Sequence, residues 1–165
     1  MYHQLVNLAE ELGRELLAKK AVLTTAESCT GGLISAVITA VPGSSRWFAM
    51  GWVVYANEAK SRLLGVDPAL LQAVGAVSRE VVSAMLCGAL EQSQADLALA
   101  VSGIAGPDGG SEQKPVGTVW VGAMRRDQTE IITLNQFAGD RQAVREQAVA
   151  VALRQGRACW ELTEK

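Results

Sequence analysis

The stretch TTAESCTGG, residues 24–32, decides which fold this sequence predicts. A short segment rich in β-branched residues, AVLTTA (residues 21–26), leads into it and predicts a buried strand. A mostly apolar segment, GGLISAVITAV (residues 31–41), leads out of it and predicts a helix that Pro42 and Gly43 end. The polar or reactive side chains between them are typical of caps and turns: Glu27, Ser28, Cys29 and Thr30. The stretch therefore predicts a strand-to-helix junction.

Helical and strand patterns alternate outward from this junction along the whole chain. Apolar spacing and cap signals predict helices at residues 2–19, 31–41, 57–65, 67–75, 78–94 and 140–160. Runs of β-branched, aromatic and apolar residues predict strands at residues 21–26, 46–56, 97–102, 116–126 and 129–137. Alternation of this kind predicts an α/β layered fold, and the adjacency of the last two strands predicts a hairpin and hence a mixed sheet. We find no repeat, linker or low-complexity segment, so we expect a single domain over residues 1–165.

Composition and charge favour a globular protein that acts on a small molecule. The net charge is −2 and no dense basic run occurs, so the chain lacks the electrostatic footprint of a nucleic-acid binder. No apolar stretch reaches the roughly 18 residues of a membrane span. The first twenty residues, MYHQLVNLAEELGRELLAKK, carry acidic residues among leucines and indicate an amphipathic helix, not a signal peptide. We therefore expect a cytoplasmic protein with no nucleic-acid or membrane partner.

Cysteine and histidine usage argues against several kinds of site. The three cysteines, Cys29, Cys87 and Cys159, form no CxxC pair, so neither a disulfide framework nor a zinc site is indicated. The single histidine, His3, lies near the start, which argues against a catalytic imidazole and a Ser-His-Asp triad. Neither a Walker A loop nor a GxGxxG motif occurs. We expect no metal and no cofactor.

Ser28 is the first candidate for chemistry. A serine near a helix start lies close to backbone N–H groups that can hold a developing oxyanion. The ordinary alternative is that Ser28 or Thr30 caps the following helix. Glu27 and Cys29 have ordinary alternatives as a salt-bridge partner and a small buried hydrophobe.

A serine nucleophile needs a base, and Lys60 in YANEAK (residues 55–60) is the candidate. A lysine shielded from water has a lowered pKa and can accept a proton. Tyr55, at the end of a predicted strand, is placed to pass or orient that proton. The alternatives are an exposed helical lysine and a tyrosine that closes the core. Sequence spacing leaves open whether the three side chains meet.

Two further segments have the composition of ligand-binding sites. SGIAGPDGG, residues 102–110, contains four glycines, so its backbone can approach a ligand closely, although a tight surface turn is the alternative. Arg141 and Arg145 lie four residues apart on one face of the last predicted helix and suit a phosphate or a carboxylate. The alternative is a solvated surface pair of Arg145 and Glu146.

Five segments together resemble the CinA C-terminal domain family: TTAESCTGG, YANEAK, GAVS, SGIAGPDGGSEQKPVGTVW and FAGDRQAVR. The resemblance spans residues 5–152, and members of the family include nicotinamide-nucleotide amidases. It implies a three-layer α/β/α sandwich with a mixed, mainly parallel sheet of about five strands. It also implies hydrolysis of the carboxamide of nicotinamide mononucleotide to nicotinate mononucleotide and ammonia, without a metal.

By this resemblance Ser28 is the nucleophile, and Tyr55 and Lys60 assist its activation. The residues implied to bind the nucleotide are Thr30, Gly31, Ser102, Gly103, Ala105, Gly106, Arg141 and Arg145. Two rival hypotheses remain at this point. One is a non-catalytic nucleotide-binding module that serves a partner in competence or recombination, and the other is an amidase with a different amide substrate.

The sequence leaves a homo-oligomer open. Trp47, Phe48 and Trp52 form an aromatic cluster that suits either the core or an interface, and we favour the core.

Overall fold

The computed structural model describes residues 1–162. Its helices are α1 (Tyr2–Ala18), α2 (Leu33–Thr39), α3 (Asn57–Leu64), α4 (Pro68–Val74), α5 (Arg79–Ser93) and α6 (Arg141–Glu161), with a short 3-10 helix at Ser44–Arg46. Its strands are β1 (Leu23–Glu27), β2 (Phe48–Val53), β3 (Leu97–Gly103), β4 (Thr118–Arg125) and β5 (Glu130–Gln136). Each helix and strand predicted from the sequence is present, with ends that differ by a few residues.

The strands form one mixed sheet in the order β2-β1-β3-β4-β5. β1 pairs in parallel with β2 and with β3, whereas β3 pairs with β4, and β4 with β5, in the antiparallel sense. Four strands therefore run in one direction and β4 runs against them. The mixed five-stranded sheet is confirmed, and so is the hairpin of β4 and β5.

Helices cover both faces of the sheet because successive residues of its strands point to opposite sides. On β3, Leu97, Leu99 and Val101 pack into the core under α1, α2 and α6. Ala98 and Ala100 pack into the second core, under α3, α4 and α5. The three-layer α/β/α sandwich is thus confirmed.

The aromatic cluster at the start of β2 divides between these two cores. Trp47 is only 1% exposed and belongs to the first core. Phe48 is partly buried against the first core and Trp52 against the second. The preference for a core role is correct for Trp47, and the other two rings are half-buried.

The sheet order brings three chain segments to one edge. β2, β1 and β3 are neighbours and run in parallel, so their carboxyl ends lie side by side. Ser28 follows β1, Ser102 and Gly103 end β3, and the chain leaving β2 continues through Tyr55 into α3 with Lys60. Ligands of open α/β sheets bind beyond this edge.

The contact between α5 and α3 depends on Gly88. A Cβ atom at this position would lie 1.9 Å from the carbonyl oxygen of Leu64 at the end of α3. On an exposed helix, Gly→Ala stabilises by about 1 kcal/mol. Here we expect Gly88→Ala to lower the free energy of unfolding by about 1–3 kcal/mol, because a backbone atom must move. Urea denaturation followed by circular dichroism measures it. Gln92→Ala, on the exposed side of α5, should stay within about 0.5 kcal/mol of the parent, and a stabilised Gly88→Ala would contradict the close packing.

Candidate active site

The junction after β1 is a tight turn followed by two glycines. The Ser28 amide donates to the carbonyl oxygen of Val101 on β3 (3.1 Å), and the Gly31 amide donates to the Ser28 carbonyl (3.0 Å). Gly31 and Gly32 have φ angles of +58° and +96°, which glycine adopts without strain. These two residues let the chain turn from β1 into α2, so the helix begins at Leu33 and not at residue 31, where the sequence places its start.

Lys60 lies against Ser28 inside the protein. Its Nζ is 3.1 Å from Ser28 Oγ, 2.9 Å from the Val54 carbonyl oxygen and 3.1 Å from the Tyr55 carbonyl oxygen. Lys60 is 1% exposed and Ser28 is 8% exposed. Burial lowers the pKa of Lys60, because a charged ammonium group is poorly solvated there. The alternative of an exposed helical lysine is wrong.

Tyr55 reaches Lys60 through its backbone, not through its phenol. The side chain is 58% exposed, and its hydroxyl accepts a hydrogen bond from Arg141 Nη2 at 3.0 Å. Within residues 1–162 the hydroxyl makes no hydrogen bond to Ser28 or Lys60. The alternative that Tyr55 closes the core is wrong, and its role as a proton relay stays a prediction.

The glycine-rich segment after β3 forms the opposite wall. Ser102 Oγ donates to the Ala76 carbonyl oxygen at 2.7 Å, which joins the end of β3 to the α4–α5 linker. A Cβ at Gly103 would lie 2.7 Å from the Thr118 carbonyl oxygen, so only glycine fits between β3 and β4 there. Gly106 has a φ of +83° and Ala105 is buried. Residues 102–106 thus pack against the sheet, whereas residues 107–110 are exposed, as the surface-turn alternative expects.

These walls enclose a cavity of about 200 Å³ next to the Ser28–Lys60 pair. Its lining includes predicted residues, namely Ser28, Tyr55, Lys60, Ser102, Gly103 and Ala105. It also includes Cys29, Asn57, Ala76 and Val77, which the sequence did not single out as site residues. Ala76 and Val77 carry no reactive group, and no local signal in the sequence points to them.

A larger cavity, of about 410 Å³, lies on the outer side of α3 and α4. Its polar lining includes Glu58, Arg62 and Gln72, which are exposed to solvent. Because the buried lysine and serine lie at the smaller cavity, we place the candidate site there.

Two arginines of α6, Arg141 and Arg145, contact the loops that form the site. Arg141 Nη1 donates to the Gly106 carbonyl oxygen at 2.8 Å. Arg145 Nη2 donates to the Thr30 carbonyl oxygen, also at 2.8 Å. Each guanidinium group therefore holds one of the two loops that follow β1 and β3. Arg145 contacts the turn after β1 instead of forming the surface pair with Glu146.

Glu27 is the site residue whose role the sequence analysis missed. It is fully buried, and its carboxylate accepts hydrogen bonds from the Thr30 hydroxyl and from an amide of α2. Among the described residues it forms no ion pair with a lysine or an arginine. The alternative of a salt-bridge partner is therefore wrong for Glu27. The helix-cap alternative is also wrong for Ser28 and Thr30, because neither side chain bonds to an amide of α2. A carboxylate that caps a helix from the preceding strand has no fixed sequence spacing.

Cys29 behaves as a small buried hydrophobe. Burial raises the pKa of its thiol to about 11, so the thiol stays protonated at neutral pH. The part of the chain that the structure describes contains no group of three or more His, Cys, Asp or Glu side chains that could hold a metal ion. None of its helices is long and apolar enough to cross a membrane.

The fold and the site define an α/β/α sandwich protein with a buried serine–lysine pair beside a small cavity. The chain belongs to the CinA C-terminal domain family, whose model matches residues 5–159. It is similar to nicotinamide-nucleotide amidohydrolase PncC of Escherichia coli (strain K12), with 54% identity over 151 residues, covering 91% of each chain. The protein of the same name from Pseudomonas putida is 54% identical over 149 residues, covering 90% of this chain and 92% of that one.

The same architecture occurs in a solved structure. The competence/damage inducible protein CihA from Agrobacterium tumefaciens matches with a TM-score of 0.92 and 38% sequence identity, covering 94% of each chain. The family resemblance seen in the sequence is confirmed.

Proposed function

We propose that the protein hydrolyses the carboxamide of nicotinamide mononucleotide to nicotinate mononucleotide and ammonia. The observation that carries the proposal is the buried contact between Lys60 Nζ and Ser28 Oγ. The similarity to proteins named nicotinamide-nucleotide amidohydrolase supports the choice of substrate. The single-domain organisation and the cytoplasmic location expected from the sequence stay predictions.

The hydrogen bonds of Lys60 suit a base. A neutral amine has two N–H donors and one lone pair, and the carbonyl oxygens of Val54 and Tyr55 can take both donors. The lone pair then faces Ser28 Oγ and accepts its proton as the serine attacks the carboxamide carbon. The ammonium form donates to all three oxygens, so the lysine keeps its position in both protonation states.

Backbone amides of the turn after β1 supply the oxyanion donors. The Gly31 amide donates to the Ser28 carbonyl and the Gly32 amide to Glu27, so these two are already engaged. The amides of Cys29 and Thr30 donate no hydrogen bond within residues 1–162. The amides of Cys29 and Thr30, directly after the nucleophile, are therefore the candidates for the oxyanion donors.

The remaining steps return the enzyme to its starting state. The Lys60 ammonium protonates the departing nitrogen, which leaves as ammonia, and Ser28 carries the nicotinoyl group as an ester. Water then attacks this ester with Lys60 again as base. The Lys60 ammonium returns the proton to Ser28 Oγ as the ester bond breaks, which releases nicotinate mononucleotide. Tyr55 assists through the carbonyl that holds Lys60, and its phenol lies at the cavity beside Arg141. We propose no metal and no cofactor in these steps.

The size of the cavity indicates how the substrate lies. Its volume of about 200 Å³ is below the roughly 300–1,000 Å³ of pockets that enclose a whole drug-sized ligand. We therefore expect the nicotinamide ring inside the cavity and the ribose phosphate outside it. Arg141 and Arg145 of α6 contact the loops at this edge and are the candidates for the phosphate.

The first test is ammonia release from nicotinamide mononucleotide with a metal chelator present. Nicotinamide, nicotinamide riboside and NAD serve as competing amides, and product identity is checked by chromatography. We expect chelator-resistant turnover with the mononucleotide preferred. Binding of the mononucleotide without ammonia release would overturn the proposal in favour of a nucleotide-binding module. Preference for another amide would overturn the substrate assignment alone.

Arg141→Ala should weaken binding of the substrate phosphate. Loss of one hydrogen bond to a charged group, roughly 1.5–3 kcal/mol, corresponds to a rise of about 10–100-fold in KM for nicotinamide mononucleotide. Steady-state kinetics measure it, with Arg145→Ala beside it to decide which arginine holds the phosphate. Arg154→Ala, exposed on the same helix, is the control.

Nicotinamide riboside, which lacks the phosphate, separates binding from loop support. If the arginine binds phosphate, kcat/KM for the riboside should be the same in the parent and the variant. An equal loss for riboside and mononucleotide would assign Arg141 to holding the loop at Gly106 instead.

A further inference from the structure

The Glu27 carboxylate accepts five hydrogen bonds next to the turn that carries Ser28. Its Oε2 accepts from Thr30 Oγ1 (2.7 Å), the Gly32 amide (3.1 Å) and the Ile34 amide (3.0 Å). Its Oε1 accepts from the amide and the hydroxyl of Ser35, both at 2.8 Å. Glu27 and Thr30 are both 0% exposed, so neither side chain can touch a substrate.

These bonds direct the donors at the start of α2 toward the protein interior. The amides of Gly32, Ile34 and Ser35 face the Glu27 carboxylate and are not available to a ligand. The Glu27 carboxylate therefore occupies the position at the start of α2 where a helix can otherwise bind an anion. The donors left for chemistry are those of the turn before the helix.

The same bonds fix the orientation of the Thr30 peptide. The Thr30 hydroxyl is held by Glu27, while its carbonyl oxygen accepts from Arg145 Nη2 (2.8 Å) and from the Leu33 amide (3.1 Å). A residue anchored at its side chain and at its carbonyl has little freedom to rotate. These anchors therefore restrain Thr30, whose own amide is one of the two that donate no hydrogen bond within residues 1–162.

We propose that Glu27 is a positioning residue for the serine reaction: its carboxylate fixes the turn of residues 28–31 so that the Cys29 and Thr30 amides face the oxyanion. The inference rests on the proposed function, because that function supplies the oxyanion. Displacement of reacting groups by about 1 Å can cost roughly 10²-fold in rate. Loss of the carboxylate should therefore lower kcat and leave KM nearly unchanged.

The two carboxylate oxygens allow positioning to be separated from stability. Oε2 holds the turn through Thr30, whereas Oε1 holds only Ser35 of α2. In Glu27→Gln an NH₂ group replaces one carboxylate oxygen. Whichever oxygen is replaced, this group faces N–H or O–H donors and cannot accept their hydrogen bonds. Ser35→Ala removes one bond to Oε1 and leaves all three bonds to Oε2, so it is the matched control.

Diisopropyl fluorophosphate reports on the turn without using the nucleotide. Ser28 Oγ forms a bond to phosphorus, the P–F bond breaks with loss of fluoride, and the serine proton passes to Lys60. Mass spectrometry gives both the rate constant and the final labelled fraction. We expect Glu27→Gln to lower the rate constant and kcat by about 10–100-fold, with full final labelling and KM within about threefold of the parent. Ser35→Ala should lower the melting temperature and leave the rate constant unchanged.

A structural role gives a different result. If Glu27 only stabilises the fold, Glu27→Gln is labelled at the parent rate constant under conditions where circular dichroism shows the variant to be fully folded, which overturns the inference. Should Glu27→Gln fail to fold, Thr30→Val makes the same test, because it removes one bond to Oε2. A Thr30→Val rate constant equal to that of Ser35→Ala overturns the positioning role.

The labelling also separates this inference from the proposed substrate. If the parent releases no ammonia from nicotinamide mononucleotide, yet Glu27→Gln slows labelling of Ser28, the substrate is wrong and the positioning role stands. If the parent deamidates the mononucleotide and Glu27→Gln does so at the same kcat, the function stands and the positioning role is overturned.

Discussion

Ser28→Ala should abolish ammonia release from nicotinamide mononucleotide while the protein keeps its fold. The change removes the hydroxyl that contacts Lys60 and keeps the Ser28 amide that bonds to Val101. Loss of a nucleophilic serine costs up to about 10⁶-fold in kcat, and we expect at least about 10³-fold here. An ammonia assay measures kcat, and circular dichroism confirms that the variant is folded.

Ser45→Ala is the matched control for this experiment, because Ser45 is exposed in the short 3-10 helix. Its kcat should equal that of the parent. The neighbouring Cys29 is a poor substitute nucleophile, since burial raises the pKa of its thiol to about 11. A folded Ser28→Ala variant that keeps more than about a tenth of the parent kcat would refute the serine mechanism.

Replacing Lys60 should remove the base and with it the pH dependence of the reaction. We expect Lys60→Met to lower kcat by about 10²–10⁴-fold, which is the usual contribution of general base catalysis. Lys60→Arg should be as poor, because a guanidinium group does not lose its proton. Lys19→Ala, at an exposed lysine just after α1, should keep the parent activity. Steady-state kinetics with nicotinamide mononucleotide measure each variant.

The pH profile gives the sign of the Lys60 effect. Burial lowers the pKa of Lys60, and the neutral amine is the active form. For the parent, kcat/KM should therefore rise with pH through this lowered pKa and then level off below the value of about 10.4 for lysine in water. An activity that falls as pH rises over this window would mean that the ammonium form is required, which contradicts the role of base.

The same lowered pKa links the site to stability. The folded protein binds the Lys60 proton more weakly than the unfolded chain, so the free energy of unfolding should fall as pH falls from about 10.4 toward the lowered pKa. Lys60→Met should lack this part of the dependence. Denaturant unfolding of the parent and Lys60→Met at several pH values compares the two slopes, and parallel slopes would contradict a protonation change at Lys60.

The sequence by itself determined the elements and the kind of junction between them. Local patterns determine these elements, namely apolar spacing, β-branched runs and the glycines at Gly31 and Gly32. Each pattern affects only the residues near it in the chain, so its structural effect can be predicted from the sequence. The same local chemistry predicts the turn after β1, the hairpin of β4 and β5, and the mixed layered sheet. The quoted segments also carried the family resemblance, which named Ser28 and Lys60 as candidates.

Only the tertiary structure decided which of these groups meet. Ser28 and Lys60 are 32 residues apart and touch because β1 lies between β2 and β3 in the sheet. The hydroxyl of Tyr55 contacts Arg141, 86 residues away, instead of the lysine that is five residues along the chain. The Glu27 side chain is buried and accepts hydrogen bonds from the start of α2 instead of pairing with a cation. Strand order and burial set these contacts, because side-chain hydrogen bonds in a core depend on distances between elements that local residue patterns do not encode.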